Sequence, residues 1–276
     1  MRHDGDTAAE GAGHGGGTVE AMTTTRTLAL ALTALLPLSA ACSGESAASD
    51  PSPSRTTFAP TGPGLSKVLF LGDSIAAGEA LPMSAAFEAG GVEFQSEASE
   101  GGGNVVGPFS DRNWKKLPGQ ITSAAPAAVI YQITTYDWGS GRQQKAAYEK
   151  LLATTATSGA KLVFVTMPPI RPDDFYKPHM AELRRAPDVA RTVAAASPDQ
   201  AVFLDAGAVW GDTYRRVRDG EPDRSTDGIH TCPQGAARFT NWLLTELKKP
   251  FPGFAPADAR TWANTGWSAD KHFKGC

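Results

Sequence analysis

Two short segments of the chain contain a serine, a histidine and an aspartate that together could activate a hydroxyl group. Residues 70–78 read FLGDSIAAG, so Ser74 follows an apolar run. His230 lies in the segment TDGIH, with Asp227 three residues before it. A serine is a poor nucleophile until a base accepts its proton, and that base needs a third group to fix its tautomer. The three residue types predict covalent catalysis by Ser74.

Each of these signals also has a purely structural explanation. Gly-Asp-Ser is common at turns where Asp73 or Ser74 caps a helix, and an aspartate three residues before a histidine arises readily by chance. The other histidines fit the role of the base less well: His3 and His14 lie in an amino-terminal leader, His179 opens a predicted helix, and His272 lies near the carboxyl terminus. The order and placement of the two segments are therefore the stronger evidence.

The elements that would position these residues follow from a series of short apolar runs separated by segments of helix length. The runs are residues 67–71, 92–98, 127–134, 161–167 and 201–206, and the predicted helices are residues 75–88, 141–157, 179–196 and 233–248. Unbroken hydrophobicity in VLFL and LVFV indicates strands that are covered on both faces, as in a parallel sheet with helices on each side. The pattern predicts one α/β domain.

Ligands of open parallel sheets bind beyond the carboxyl ends of the strands. Four segments should meet at this edge: Gly72-Asp73-Ser74, SEGGGN at 99–104, TTYDWG at 134–139, and TDGIH at 226–230. Placed there, Ser74 would stand at the start of a helix, where its own backbone N–H can face a developing oxyanion.

From about residue 67 to residue 247, the chain resembles the SGNH hydrolases, also called the GDSL family. FLGDSIAAG is similar to the first conserved block of that family, and DGIHTCPQGAARF is similar to the last. The resemblance implies that Ser74 is the nucleophile, His230 the base and Asp227 the orienting acid. It also implies a flavodoxin-like three-layer α/β/α sandwich with a five-stranded parallel sheet. Because the sequence shows no P-loop pattern and no cluster of metal ligands, we expect catalysis without a cofactor or metal.

The oxyanion hole is the part of the site where the sequence departs from the family. The resemblance implies a backbone donor in SEGGGN, for which Gly101 is the preferred position; Gly102 is the alternative because a glycine triplet leaves the register ambiguous. The third block of the family usually supplies an asparagine, and here Tyr136 stands in its place. Losing such a donor costs about 3 kcal/mol in other hydrolases. The Tyr136 hydroxyl, Asn104 from the neighbouring loop, or two backbone donors could compensate.

We expect a serine esterase that hydrolyses acyl or acetyl esters on a lipid or a cell-envelope glycan. The alternatives are an O-acyltransferase with the same triad and a catalytically weak envelope-binding module, which the missing asparagine would favour. An α/β-hydrolase elbow needs G-x-S-x-G, but Ala76 occupies the second glycine position. The formal net charge of −3, from charges spread along the chain, argues against a nucleic-acid partner, and we expect a monomer.

The amino-terminal region has the features of an export signal. An apolar run at 28–38 follows Arg26 and precedes the small residues SAAC, which is typical of a secretory signal peptide. We expect a leader and signal peptide over 1–41, with translation starting at Met22. Cys42 lies in a lipobox-like context, so the mature protein is predicted to be either a lipoprotein held to the membrane only through Cys42 or a secreted protein cleaved after Ala41.

The remaining domain boundaries follow from composition. Residues 42–64 are rich in Ser, Ala, Pro and Gly and are predicted to form a disordered tether. The hydrolase domain should cover 65–249, and residues 250–276 form a tail to which the sequence assigns no role. Lipidation of Cys42 would leave Cys232 and Cys276 as a pair that an exported protein can oxidise; two free thiols are the alternative.

Overall fold

The structure is a computed structural model that describes residues 64–276. The predicted leader, the start at Met22, Cys42 and the tether up to residue 63 lie outside the described residues. Within residues 64–276, no helix is both long enough and apolar enough to cross a membrane.

Five parallel strands form the central sheet, as the apolar runs predicted. They are β1 (Lys67–Leu71), β2 (Glu93–Ser96), β3 (Ala128–Gln132), β4 (Lys161–Val165) and β5 (Ala201–Leu204), in the spatial order β2-β1-β3-β4-β5. In the register, Phe70 of β1 pairs with Ser96 of β2 and Ile130 of β3. The carboxyl ends of β1, β2 and β3 therefore lie side by side, and the loops that follow them share one edge of the sheet.

Seven α-helices occur in the described part of the chain. They are α1 (Ser74–Ala89), α2 (Ser110–Trp114), α3 (Leu117–Ala124), α4 (Gly141–Thr157), α5 (Met180–Ala196), α6 (Gly207–Trp210) and α7 (Pro233–Leu247). The four predicted helices correspond to α1, α4, α5 and α7, within one residue at each end. The sequence analysis missed α2 and α3 because they are short, lie in a polar stretch, and are separated by only two residues.

Helices cover both faces of the sheet and create two hydrophobic clusters. Val68 and Phe70 of β1 pack with apolar residues of α1 and α7, whereas Leu69 and Leu71 pack with residues of α3, α4 and α5. Successive side chains of a strand point to opposite faces, so a continuous apolar strand supplies both clusters. The predicted three-layer α/β/α arrangement is confirmed.

The carboxyl-terminal residues 250–276 pack against the α1 and α7 side of the domain. Phe251, Phe254 and Trp262 belong to the same cluster as the apolar residues of α1 and α7, and Trp262 is almost fully buried. Three 3₁₀ turns follow, at Ala259–Thr261, Trp267–Ala269 and Lys271–Phe273. Cys276 forms a disulfide bond with Cys232, the residue that precedes α7, with 5.6 Å between the two Cα atoms.

The disulfide should contribute measurably to stability. Its two cysteines are 44 residues apart, and on the chain-entropy estimate closing such a loop stabilises the fold by at most about 4 kcal/mol. We expect reductant to lower the urea midpoint of the wild-type protein. The variant Cys276→Ser should have a midpoint that reductant does not change. Equal wild-type midpoints with and without reductant would contradict the prediction.

Candidate active site

Asp73 fixes the position of Ser74 at the start of α1. It is the N-cap of the helix, and its carboxylate accepts a hydrogen bond from the N–H of Ile75 at 3.0 Å. Its second oxygen accepts hydrogen bonds from the N–H and the hydroxyl of Thr135, both at 2.7 Å. Because Asp73 takes the capping role, the hydroxyl of Ser74 is not used to cap the helix.

The burial of Asp73 has an electrostatic consequence. The carboxyl group is 1% exposed, and burial raises its pKa, although the hydrogen bonds from Thr135 and Ile75 oppose that rise. These donors offset part of the cost of placing a carboxylate in the interior. The same contacts join the first turn of α1 to the loop after β3.

Ser74, His230 and Asp227 form a continuous chain of hydrogen bonds. The Ser74 Oγ lies 2.9 Å from His230 Nε2, and His230 Nδ1 lies 2.8 Å from Asp227 Oδ2. When the ring proton is on Nδ1, this N–H donates a hydrogen bond to the carboxylate. Nε2 is then free to accept a hydrogen bond from the serine hydroxyl. The structure thus brings together the three residues for which the sequence predicted catalytic roles.

The Asp227 carboxylate is held in its ionised form. Its partial burial opposes ionisation, but hydrogen bonds from the His230 ring and from the N–H groups of Ile229 and His230 outweigh burial and lower its pKa to about 2. The two N–H groups donate to Oδ1 at 2.7 and 3.0 Å. One oxygen therefore orders the loop, and the other orients the imidazole.

Two arginines that the sequence analysis did not single out support this loop. The buried guanidinium of Arg224 donates hydrogen bonds to the carbonyl oxygens of Pro169 and Ile229, at 2.6 and 2.5 Å. The N–H of Arg171 donates to the carbonyl of Gly228 at 2.9 Å. Gly228 has a φ of +85°, and a Cβ there would lie 2.9 Å from the Arg171 side chain, so this tight turn requires glycine.

An open cleft of about 430 Å³ contains Ser74 and His230. Tyr136 lines it, together with four residues to which the sequence analysis gave no role: Glu100, Asp173, Tyr176 and His272. They come from three separate segments: Glu100 follows β2, Asp173 and Tyr176 lie in the loop after β4, and His272 belongs to the carboxyl-terminal segment. Such a set has no spacing pattern in the sequence, because the fold alone brings its members together.

The candidate oxyanion donors occupy different environments. Ser74 is the first residue of α1, so its N–H has no acceptor within the helix. The exposed Gly101 directs its N–H to Ser99 Oγ at 3.4 Å, and Gly102 packs close to Phe109. The buried Asn104 side chain donates to the carbonyl of Val106 at 2.6 Å. The oxyanion roles suggested for Gly101, Gly102 and Asn104 stay predictions.

Gly103 is the member of the glycine triplet that approaches the nucleophile turn. A Cβ at Gly103 would lie 1.9 Å from the carbonyl oxygen of Gly72, and its φ is +75°. The loop can pass over the end of β1 only because residue 103 has no side chain. Which glycine of the triplet makes this close approach depends on the folded loop, so the sequence alone left the position ambiguous.

Tyr136 is held at the cleft by a buried carboxylate and by aromatic neighbours. Asp137 accepts hydrogen bonds from the hydroxyls of Tyr131 and Tyr148, at 2.8 and 2.9 Å. The Tyr136 hydroxyl accepts a 3.4 Å hydrogen bond from Tyr176, and its ring packs edge-on against Phe109. In this contact the Tyr136 hydroxyl is the acceptor, so its own O–H is not used as the donor.

Comparisons with known proteins identify the fold. No protein-family model matches the chain, and no curated protein matches it. Among solved structures, an α/β hydrolase enzyme, LAE5, from the metagenome of Lake Arreo in Spain is 15% identical; the match has a TM-score of 0.50 and covers 69% of this chain and 96% of that one. An acetyl esterase mutant solved with an acetate ion is 16% identical, with a TM-score of 0.50 and coverage of 69% and 100%.

A third similar structure is a provisionally assigned SGNH hydrolase from Slackia heliotrinireducens. It is 18% identical, with a TM-score of 0.49, and the match covers 65% of this chain and 97% of that chain. Identities this low are informative about the fold alone. The two matches at a TM-score of 0.50 agree with the five-stranded sheet described above, and the predicted α/β fold with a five-stranded parallel sheet is confirmed.

Asp137 should make the stability of the domain depend on pH. Burial raises its pKa from 3.8 to about 7, against the hydrogen bonds that it accepts. Because of this group, the folded state binds more protons than the unfolded chain between these values, so the contribution of Asp137 to stability is greatest below about pH 4 and falls as the pH rises to about 7. The decrease should be about 1.4 kcal/mol per pH unit across the middle of that window.

The variant Asp137→Asn tests this because its amide does not titrate. We expect urea unfolding of the variant at several pH values to show a flatter dependence of the free energy of unfolding than the wild type. The exposed Asp111 of α2 provides a matched control, and Asp111→Asn should keep the wild-type slope. Identical slopes for Asp137→Asn and wild type would contradict the prediction.

Proposed function

We propose that this chain is a serine esterase that hydrolyses carboxylic esters through a covalent acyl-enzyme intermediate. The observation that carries the proposal is the unbroken hydrogen-bond chain from Ser74 through His230 to Asp227, located beside an open cleft. Helix capping does not account for Ser74, because Asp73 supplies the cap. The SGNH/GDSL type of fold is consistent with esterase chemistry but does not by itself establish it.

The geometry suggests the following sequence of steps. His230 Nε2 accepts the proton of Ser74, whose Oγ forms a bond to the ester carbonyl carbon. The tetrahedral oxyanion faces the Ser74 N–H at the positive end of α1. His230 then gives its proton to the leaving alcohol as the ester C–O bond breaks. A water molecule attacks the acyl-enzyme, returns a proton to Ser74 through His230, and releases the carboxylic acid.

The mixed lining of the cleft supports an ester that carries polar groups. The polar side chains of Glu100, Asp173 and His272 line the cleft beside the aromatic side chains of Tyr136 and Tyr176. We propose an acyl or acetyl ester of a lipid or a cell-envelope glycan as the substrate, and export of the protein as a lipoprotein or a secreted monomer. If a sugar hydroxyl replaced water in the second half of the reaction, the same residues would catalyse O-acyl transfer.

Covalent labelling tests the nucleophile directly. We expect a fluorophosphonate probe to label the wild-type protein on the peptide that contains Ser74, and we expect Ser74→Ala to remain unlabelled. Ser84 is an exposed serine on the same helix, so Ser84→Ala should be labelled as strongly as wild type. A folded wild-type protein that stays unlabelled would contradict esterase catalysis and favour a binding module.

A second prediction concerns the donor that replaces the asparagine of the family. We propose that the Tyr136 hydroxyl donates a hydrogen bond to the oxyanion. Tyr136→Phe removes only this hydroxyl and keeps the ring contacts, so kcat for a p-nitrophenyl ester should fall about a hundredfold with little change in KM. An unchanged kcat would instead favour an oxyanion hole built from backbone N–H groups.

A further inference from the structure

Aromatic side chains from three loops gather beside the catalytic cleft. Phe109 follows β2, Tyr136 and Trp138 follow β3, and Phe175 and Tyr176 follow β4. The centroids of neighbouring rings are between 5.0 and 6.2 Å apart, which is the range in which aromatic pairs attract each other. The five residues therefore form one contiguous surface, which we call the aromatic rim.

The aromatic rim is exposed, although large apolar side chains are normally buried. In the described part of the chain, the exposed large apolar side chains are Phe109, Phe175 and Val217, which are 37%, 52% and 43% exposed. Two of these three belong to the rim. A single exposed apolar residue needs no explanation, but a contiguous cluster of them marks a surface that binds another molecule.

The rim and the catalytic cleft share two residues. Tyr136 and Tyr176 belong to the rim and also line the cleft beside Ser74. The ring of Phe175 contacts both tyrosine rings, with centroid distances of 6.2 and 5.0 Å. A substrate whose ester group reaches Ser74 and whose other end extends past these tyrosines would therefore cover Phe175. The molecule that the rim binds is thus a part of the substrate itself.

Hydrogen bonds and stacking hold the rim in place. The ring of Trp138 stacks on the ring of His179, with 3.5 Å between the centroids. The Asp173 carboxylate accepts hydrogen bonds from the N–H groups of Phe175 and Tyr176, at 3.0 and 3.1 Å. A surface that is already ordered loses little conformational entropy when a ligand binds to it.

The lining of the cleft favours an ester with a short acyl group. Among the described residues that line the cleft, only Ile229 has a purely aliphatic side chain. A long acyl chain leaves water when apolar surface encloses it on several sides, and one isoleucine does not provide such an enclosure. The polar side chains of Glu100, Asp173 and His272 instead suit an alcohol that carries hydroxyl groups.

The open form of the rim favours a sugar ring over an acyl chain. Because half of Phe175 is exposed, its ring can cover only one side of a ligand. A pyranose ring presents C–H groups on its face and hydroxyl groups at its perimeter, and the C–H groups are attracted to the negative face of an aromatic ring. Its hydroxyl groups would stay in water, whereas an acyl chain on the same surface would leave apolar atoms exposed.

We propose that the aromatic rim binds a sugar ring of the substrate, so that the enzyme removes a short acyl group from a glycan. This inference rests on the proposed esterase function and selects the acylated glycan over the lipid ester. Phe175 is a substrate-binding residue in this proposal. It lies outside the cleft that contains Ser74, so its contact with the sugar is the same in the ground state and the transition state and should affect KM rather than kcat.

The variant Phe175→Ala and two esters of acetic acid test the contact. The glycan substrate is tri-N-acetylchitotriose that carries O-acetyl groups at random positions, and ethyl acetate is the ester without a ring. We expect Phe175→Ala to raise KM for the glycan about tenfold with little change in kcat, as for the loss of one good aromatic contact. The ratio of kcat/KM for the glycan to kcat/KM for ethyl acetate should fall about tenfold.

Three further variants separate the aromatic contact from a general apolar effect. Phe175→Leu keeps an apolar side chain without a ring and should behave like Phe175→Ala, whereas Phe175→Trp should keep the wild-type ratio. Val217 has a similar exposure but lies outside the rim, so Val217→Ala should also keep it. If Phe175→Ala raises KM for ethyl octanoate and not for the glycan, the rim binds an acyl chain and the glycan inference is overturned.

Direct binding separates failure of this inference from failure of the esterase proposal. Tri-N-acetylchitotriose, which has no ester group, should bind to Ser74→Ala about tenfold more tightly than to the double variant with Phe175→Ala, as measured by titration calorimetry. If this difference occurs although the wild-type protein hydrolyses no ester, the esterase proposal fails and the sugar site stands. If esters are hydrolysed but Phe175→Ala changes neither the binding nor the ratio, the sugar site is overturned and the esterase proposal stands.

Discussion

The arrangement of the site depends on the buried carboxylate of Asp73. It caps α1 through Ile75 and accepts two hydrogen bonds from Thr135 in the loop after β3. Because the register places the ends of β1 and β3 side by side, one side chain can connect both. This connection fixes the position of Ser74 at the start of α1. The Ser74 Oγ then lies 2.9 Å from His230 Nε2.

Buried carboxylates recur around the loops of the site. Burial raises the pKa of Asp137 to about 7 and that of Glu79, which accepts a 2.5 Å hydrogen bond from Gln132, to about 8. In both residues, burial disfavours the ionised form of the carboxyl group. By contrast, hydrogen bonds lower the pKa of the partly exposed Asp227 to about 2. Asp227, the carboxylate that must stay ionised beside His230, is thus held by hydrogen-bond donors that outweigh the effect of its partial burial.

Much of this could be predicted from the sequence, for identifiable reasons. Five apolar runs located the strands because strands covered on both faces lack polar residues, and the order of Ser74, Asp227 and His230 indicated the hydrogen-bond chain. The contacts of Arg224 and the positions of Glu100 and His272 in the cleft could not be predicted, because they depend on the folded chain and leave no periodic signal in the sequence. The helices α2 and α3 were missed because they are short and lie in a polar stretch, so they show no clear helical period.

The proposed mechanism requires that Ser74 becomes acylated during ester hydrolysis. A rapid-quench experiment tests this directly: the protein reacts with p-nitrophenyl acetate, the reaction is stopped, and the peptides of the protein are analysed by mass spectrometry. We expect a burst of p-nitrophenol close to one equivalent of protein when deacylation is the slower step, with an acetyl group on the peptide that contains Ser74. Turnover of the ester by the folded protein without acetylation of Ser74, or a folded protein that does not react, would contradict covalent catalysis by Ser74.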